Sequence, residues 1–132
     1  MVDVYLIVVL SVSGLFFLYT GVSSFLRPVV LGRLLGIDSV GRSGKIEIQA
    51  QYGGFFFACG LSVIASVLGV IEIGYGLFLT AVTFGGLTLG RLLALFEPTE
   101  DRHMLPTIRA LYWVDGLGFV LALVGLSTMP VA

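Results

Sequence analysis

The stretch QAQYGGFFFACGLSVIASVLGVIEIGYGLFLTAVTFGGLTLGRLLALF, residues 49–96, decides the fold. As a single helix rising about 1.5 Å per residue it would be roughly 70 Å long, more than twice a hydrocarbon core of about 30 Å. Glu72, Gly74 and Gly76 break it near its middle. Glycine punctuates a helix and a carboxylate is costly at the bilayer centre, so the run reads as a hairpin of two spans, 49–71 and 73–96.

Working outward, residues 4–26 form a third apolar run and residues 110–129 a fourth. Each is close to the roughly 20 residues a membrane helix needs, and a helix is tolerated in lipid because it closes its own backbone hydrogen bonds. The expected fold is therefore all-α, a four-helix transmembrane bundle forming a single domain over residues 1–132. Composition agrees: 58% of residues are hydrophobic and 11% charged, with a mean hydropathy of +1.08. The first run has no Lys or Arg ahead of it and no small-residue cleavage site behind it, so it reads as a mature helix and not a signal peptide.

Arg27, Arg33, Arg42 and Lys45 lie between the first and second spans, and Arg102 and Arg109 between the third and fourth. The positive-inside rule places both connections in the cytoplasm and both termini outside, with a bacterial inner membrane as the expected location. Tyr52, Tyr112 and Trp113 fall near the inner interface, and Tyr5 and Tyr75 near the outer one. In the first connection, PVVLGRLLGI at 28–37 fits either a short segment in the headgroup region or a kinked extension of the first helix. The following DSVGRSGK, 38–45, is turn-rich. It is not a phosphate-binding loop, because Ser39 replaces the first glycine and Ile46 the Ser or Thr that such a loop requires.

Ionisable groups inside spans are the natural candidates for a site. Arg91 lies six residues before Glu97, and Asp115 six after Arg109, so both sit about 9 Å inside the same end. Glu47 opens the second span. Its stripe continues through Gln51, Gly54, Ala58 and Ala65, and the fourth span repeats the pattern with Asp115, Gly118, Ala122 and Gly125. Gly86 and Gly90 are a GxxxG pair beside Arg91. Small faces let membrane helices approach closely, so Gly53, Gly54, Ala58, Gly86, Gly90, Gly118 and Ala122 are the expected packing residues. The charges then point inward, and Arg91 is expected to pair with Glu47 and Asp115, with Gln51 and Tyr52 alongside. This polar cluster either ties helices together or holds a ligand.

Other chemistry finds little support. A net charge of −1 argues against nucleic acid as a partner. Cys59 is the lone cysteine, in an apolar run, and reads as a packing residue. His103 is the lone histidine, in the loop EPTEDRHMLP, and the spacing of Glu97, Glu100 and Asp101 there matches no calcium loop. No nucleophile has a plausible histidine partner. No catalytic residue, metal site or cofactor is expected.

Glu47, Tyr52, Gly53 and Gly54, followed by GGLTLGRLLAL at 85–95 with Gly86, Gly90 and Arg91, resemble the bacterial DUF4345 family of small four-helix membrane proteins. The resemblance covers about half the chain and implies the fold and the cluster, without a reaction. Two functions follow as expectations. The first is a non-enzymatic membrane subunit or accessory factor that packs through glycine faces against itself or a larger partner, and whose mark would be small faces left uncovered towards lipid. The second is a transporter or binding protein for a small anionic or lipid-like ligand, with Arg91 holding the anion and Glu47 or Asp115 exchanging a proton.

Overall fold

The computed structural model describes residues 3–38 and 41–130. Among these are five helices and no strand: α1 Val4–Leu26, α2 Pro28–Leu34, α3 Gly41–Val67, α4 Ile73–Ala94 and α5 Pro106–Ser127. All but α2 are long and apolar enough to cross a membrane. Their outer faces are apolar too, with Val8, Val12, Leu15, Leu61, Phe78, Leu89, Leu117 and Val120 all exposed. An apolar surface of this extent needs a lipid solvent. This is a membrane protein.

The boundaries follow local chemistry. Asp3 caps α1 by accepting the Tyr5 amide hydrogen bond. Pro28, which has no N–H to continue α1, starts α2 at its first helical position instead. The break at Arg27 makes residues 28–34 a separate short helix, not an extension of the first. Gly36, at a φ of +72°, then closes α2 while the Ile37 amide reaches back to the Gly32 carbonyl. The Gln49 side chain donates to the Phe25 carbonyl at the C-terminal end of α1, at 3.0 Å.

Two expected boundaries of the second span are displaced. The helix begins at Gly41, eight residues early, because hydropathy marks only the part inside lipid and a helix continues freely into the headgroups. Ser39 lies outside the described residues. The helix ends at Val67, earlier than expected, where Gly69 takes a φ of +75° and the Val70 amide returns to the Ala65 carbonyl at 2.9 Å. Gly69 therefore terminates it, while Gly74 and Gly76 lie inside α4. The third span starts as expected and ends two residues early, at Ile73–Ala94, and the fourth starts four residues early and ends two early, at Pro106–Ser127.

The spanning helices alternate in direction. Gly21 meets Gly53 and Phe57 while Gly14 meets Val63 and Ile64, so α1 and α3 are antiparallel, and the same holds for α4 and α5 through Phe84 with Gly118 and Leu77 with Gly125. Both basic connections thus lie at one end, called here the basic end. Without a hydrophobic force between helices in lipid, their association rests on close packing and interhelical hydrogen bonds. Leu6, Leu10 and Phe17 of α1 meet Phe56, Cys59 and Val63 of α3 and Leu77 and Phe84 of α4 in one core. The Phe17 ring lies 4.8 Å from Phe84 and 5.7 Å from Phe56.

Glycines set the two closest helix pairs. A Cβ on Gly21 would come within 2.6 Å of the Phe57 nitrogen, and one on Gly60 within 2.8 Å of the Leu18 nitrogen. Backbone there touches backbone. Gly14 and Gly21 on α1 face Gly53 and Gly60 on α3, each pair seven residues apart, two turns along the helix. Between α4 and α5 the fit is reciprocal: the Phe119 ring sits on Gly85 and the Phe84 ring on Gly118.

Candidate functional site

Arg91 stands in the last turn of α4, and Asp115 in α5 opposite it. The guanidinium Nη1 donates to Asp115 Oδ2. Asp115 is 1% exposed and Arg91 20% exposed, so the pair reaches from the interior of the bundle towards its surface. One turn before Asp115, the Tyr112 hydroxyl donates to the Arg91 carbonyl at 2.8 Å. That carbonyl lies in the final turn of α4, where intrahelical donors run out, and the phenol supplies one. Two bonds thus fasten the basic end of α4 to α5. A neutral hydrogen bond contributes about 1 kcal/mol, so Tyr112→Phe is expected to lower stability by about that amount, read by thermal unfolding in detergent.

The pair leaves polar capacity unused. Among the described residues, Asp115 Oδ1 and the Thr88 hydroxyl are buried without a hydrogen-bond partner. Thr88 precedes Arg91 by three residues, so it lies within one turn of it on α4. A guanidinium has five N–H donors, and one is engaged by Asp115. Tyr52 stacks on Phe56, with ring planes 3° apart and centroids at 6.2 Å.

The expected third member is elsewhere. Glu47 is exposed and accepts from the Gln51 side chain, one turn along the same helix, at 3.1 Å. It makes no ion pair with Arg91. The physical reason is position: with α3 starting at Gly41, Glu47 sits beyond the lipid at the basic end, where water or headgroups solvate it and nothing drives it inward. The stripe Glu47, Gln51, Gly54, Ala58 is the outer face of α3. The inner face is Gly53, Phe56, Gly60 and Val63, offset by about half a turn, and it starts within a π-helical turn at Gln49–Gly54.

The small residues divide in the same way. Gly53 and Ala122 are buried, and Gly118 receives Phe84. Gly54, Ala58, Gly86 and Gly90 are exposed. A Cβ on Gly86 or Gly90 would meet nothing within 4 Å; their neighbour Gly85 is the contact to α5. The glycines of α1, Gly14 and Gly21, were readable only by matching their seven-residue spacing to that of Gly53 and Gly60. Tyr5 also does more than anchor an interface, since its hydroxyl donates to the Leu121 carbonyl at 2.7 Å and links α1 to α5. Cys59 is buried, with its sulfur 4.0 Å from the Thr83 hydroxyl. His103 is exposed, its amide on Asp101, and among the described residues no three His, Cys, Asp or Glu side chains converge on one point.

No family model matches the chain, and neither a curated protein nor a solved structure matches it.

Proposed function

We propose that this chain is a non-enzymatic helical subunit of a membrane assembly, placed in a bacterial inner membrane and joined to its partner through α4. Membership of the DUF4345 family is part of the same proposal, on the residues of α3 and α4 that resemble it. The observation that carries the reading is the open GxxxG face at Gly86 and Gly90. Glycine inside a helix costs about 0.5–1 kcal/mol relative to alanine, and towards lipid these two make no contact that offsets it. A second helix seated on them would provide that contact, because backbones can approach where no Cβ intervenes.

The face is also self-complementary. Leu89 and Leu93 project beside the glycines on the same exposed side of α4, so two copies related by a two-fold axis can each set leucines into the other's notch. A homodimer is therefore the favoured assembly, with a larger membrane protein as the other form of the same reading. The test is native mass spectrometry of the protein extracted gently from its own membrane, compared with Gly90→Leu. The parent is expected to carry a second copy or one stoichiometric protein partner, and the variant to be monomeric while melting at or above the parent's temperature. A monomeric parent, or a variant that associates equally well, contradicts the reading.

A further inference from the structure

A groove of about 700 Å³ runs along the outside of the bundle between α3 and α4. Its deep end is formed by Phe56, Leu79 and Val82, and its other end by Ala50, Gln51 and Tyr52. Ser66 sits at Gly76 and Cys59 at Thr83, so residue numbers facing each other across this antiparallel pair have a constant sum. That register carries Gln51 and Tyr52 to the level of Gly90 and Arg91. Leu87, in the groove wall, lies one turn from Arg91. The trough is thus apolar in the membrane, and its basic-side end, at Gln51 and Tyr52, lies level with Arg91.

The geometry points to a binding site for one anionic phospholipid of the leaflet at the basic end, an acyl chain in the α3–α4 groove and the phosphate on Arg91. Three observations select this occupant. First, from Leu79 to Arg91 is 12 residues, about 18 Å along a helix, which matches one leaflet of a core about 30 Å thick. A transmembrane helix would need a trough running through both leaflets. Second, Arg91 is partly exposed and spends one donor on Asp115, so its planar fork keeps N–H groups for phosphate oxygens. Third, cations flank this mouth, Arg42 and Lys45 one to two turns beyond the groove on α3 and Arg91 level with its end, while the carboxylates nearby are either exposed beyond it, Glu47 and Glu97, or already paired, Asp115.

This inference goes beyond the assembly reading: the two share Gly86, which also lines the groove, but the lipid site is read at Arg91 and Ala50 and not at Gly90. Its test uses the full chain in detergent, titrated in native mass spectrometry with phosphatidylglycerol, with phosphatidylcholine of the same chains, and with inorganic phosphate. Phosphatidylglycerol is expected to bind about tenfold more tightly than phosphatidylcholine, as a charge-assisted fork predicts. Inorganic phosphate at equal concentration leaves it bound. Arg91→Lys keeps the charge but loses the fork, and removes most of that preference. Ala50→Trp fills the groove from an exposed position on α3 and weakens both lipids without lowering the melting temperature. Equal binding of the two lipids, or full binding by Ala50→Trp, overturns the site. Displacement of phosphatidylglycerol by free phosphate overturns the lipid and leaves a small-anion site in its place.

Discussion

Arg91→Ala is expected to produce one of the largest losses of stability of any single substitution in this chain, about 3–5 kcal/mol, because it leaves the Asp115 carboxylate buried with no cation. Asp115 is 1% exposed and, among the described residues, one of its oxygens already has no partner and the other is bonded to Arg91 alone, so the loss of Nη1 leaves the carboxylate without a side-chain bond there. The decisive comparison is the double variant. Replacing a buried ion pair by apolar side chains of similar volume is often neutral or stabilising, since the desolvation of both charges is removed together. Arg91→Met with Asp115→Leu is therefore expected to melt well above Arg91→Ala and near the parent. The check is thermal unfolding of all three in one detergent. A double variant as unstable as Arg91→Ala would show that the two side chains are not coupled.

The second large effect is expected at Gly21, and its sign is the informative part. Alanine is the better helix former by about 0.8–1 kcal/mol, so propensity alone makes Gly21→Ala stabilising. The added Cβ, however, would stand 2.6 Å from the Phe57 nitrogen and 2.9 Å from the Gly53 carbonyl oxygen. Both obstacles are backbone and neither can rotate away. The helices α1 and α3 must part, and overpacking of this kind costs roughly 1–3 kcal/mol, sometimes more. Gly21→Ala is expected to lower the melting temperature, whereas Gly90→Ala in the isolated monomer is expected to raise it, since nothing stands within 4 Å there. Equal shifts in the two variants would contradict the close approach of α1 and α3.

These two sites also show what the sequence could and could not convey. The spans were legible because apolar length is a property of each segment alone, and Arg91 and Asp115 stood out because charges in such segments are rare. Which way a helix faces depends on its neighbours. Glu47 and Gln51 suggested an inward face for α3, but both are exposed and bonded to each other, and in a helix that starts at Gly41 the Glu47 carboxylate lies far enough towards the basic end to be solvated without turning inward. The real contact face, Gly53 and Gly60, carries no polar marker and emerges only when matched to Gly14 and Gly21. On α4, three glycines at 85, 86 and 90 offer two overlapping small faces, and only the seating of Phe119 on Gly85 distinguishes the inward one. The end of the second span was displaced for a similar reason: Gly69 was one glycine among many until its positive φ marked it as the stop.

The same outward turn of Gly86 and Gly90 that the sequence did not disclose is what the functional reading rests on. It is tested most directly by placing a photo-crosslinking residue at position 90, in the native membrane, beside a control at position 117, where Leu117 is also exposed but on α5. Irradiation at position 90 is expected to give one discrete protein adduct, of twice the chain mass for a homodimer, with none from position 117. Lipid adducts alone at both positions would contradict the assembly reading and leave α4 facing only the bilayer.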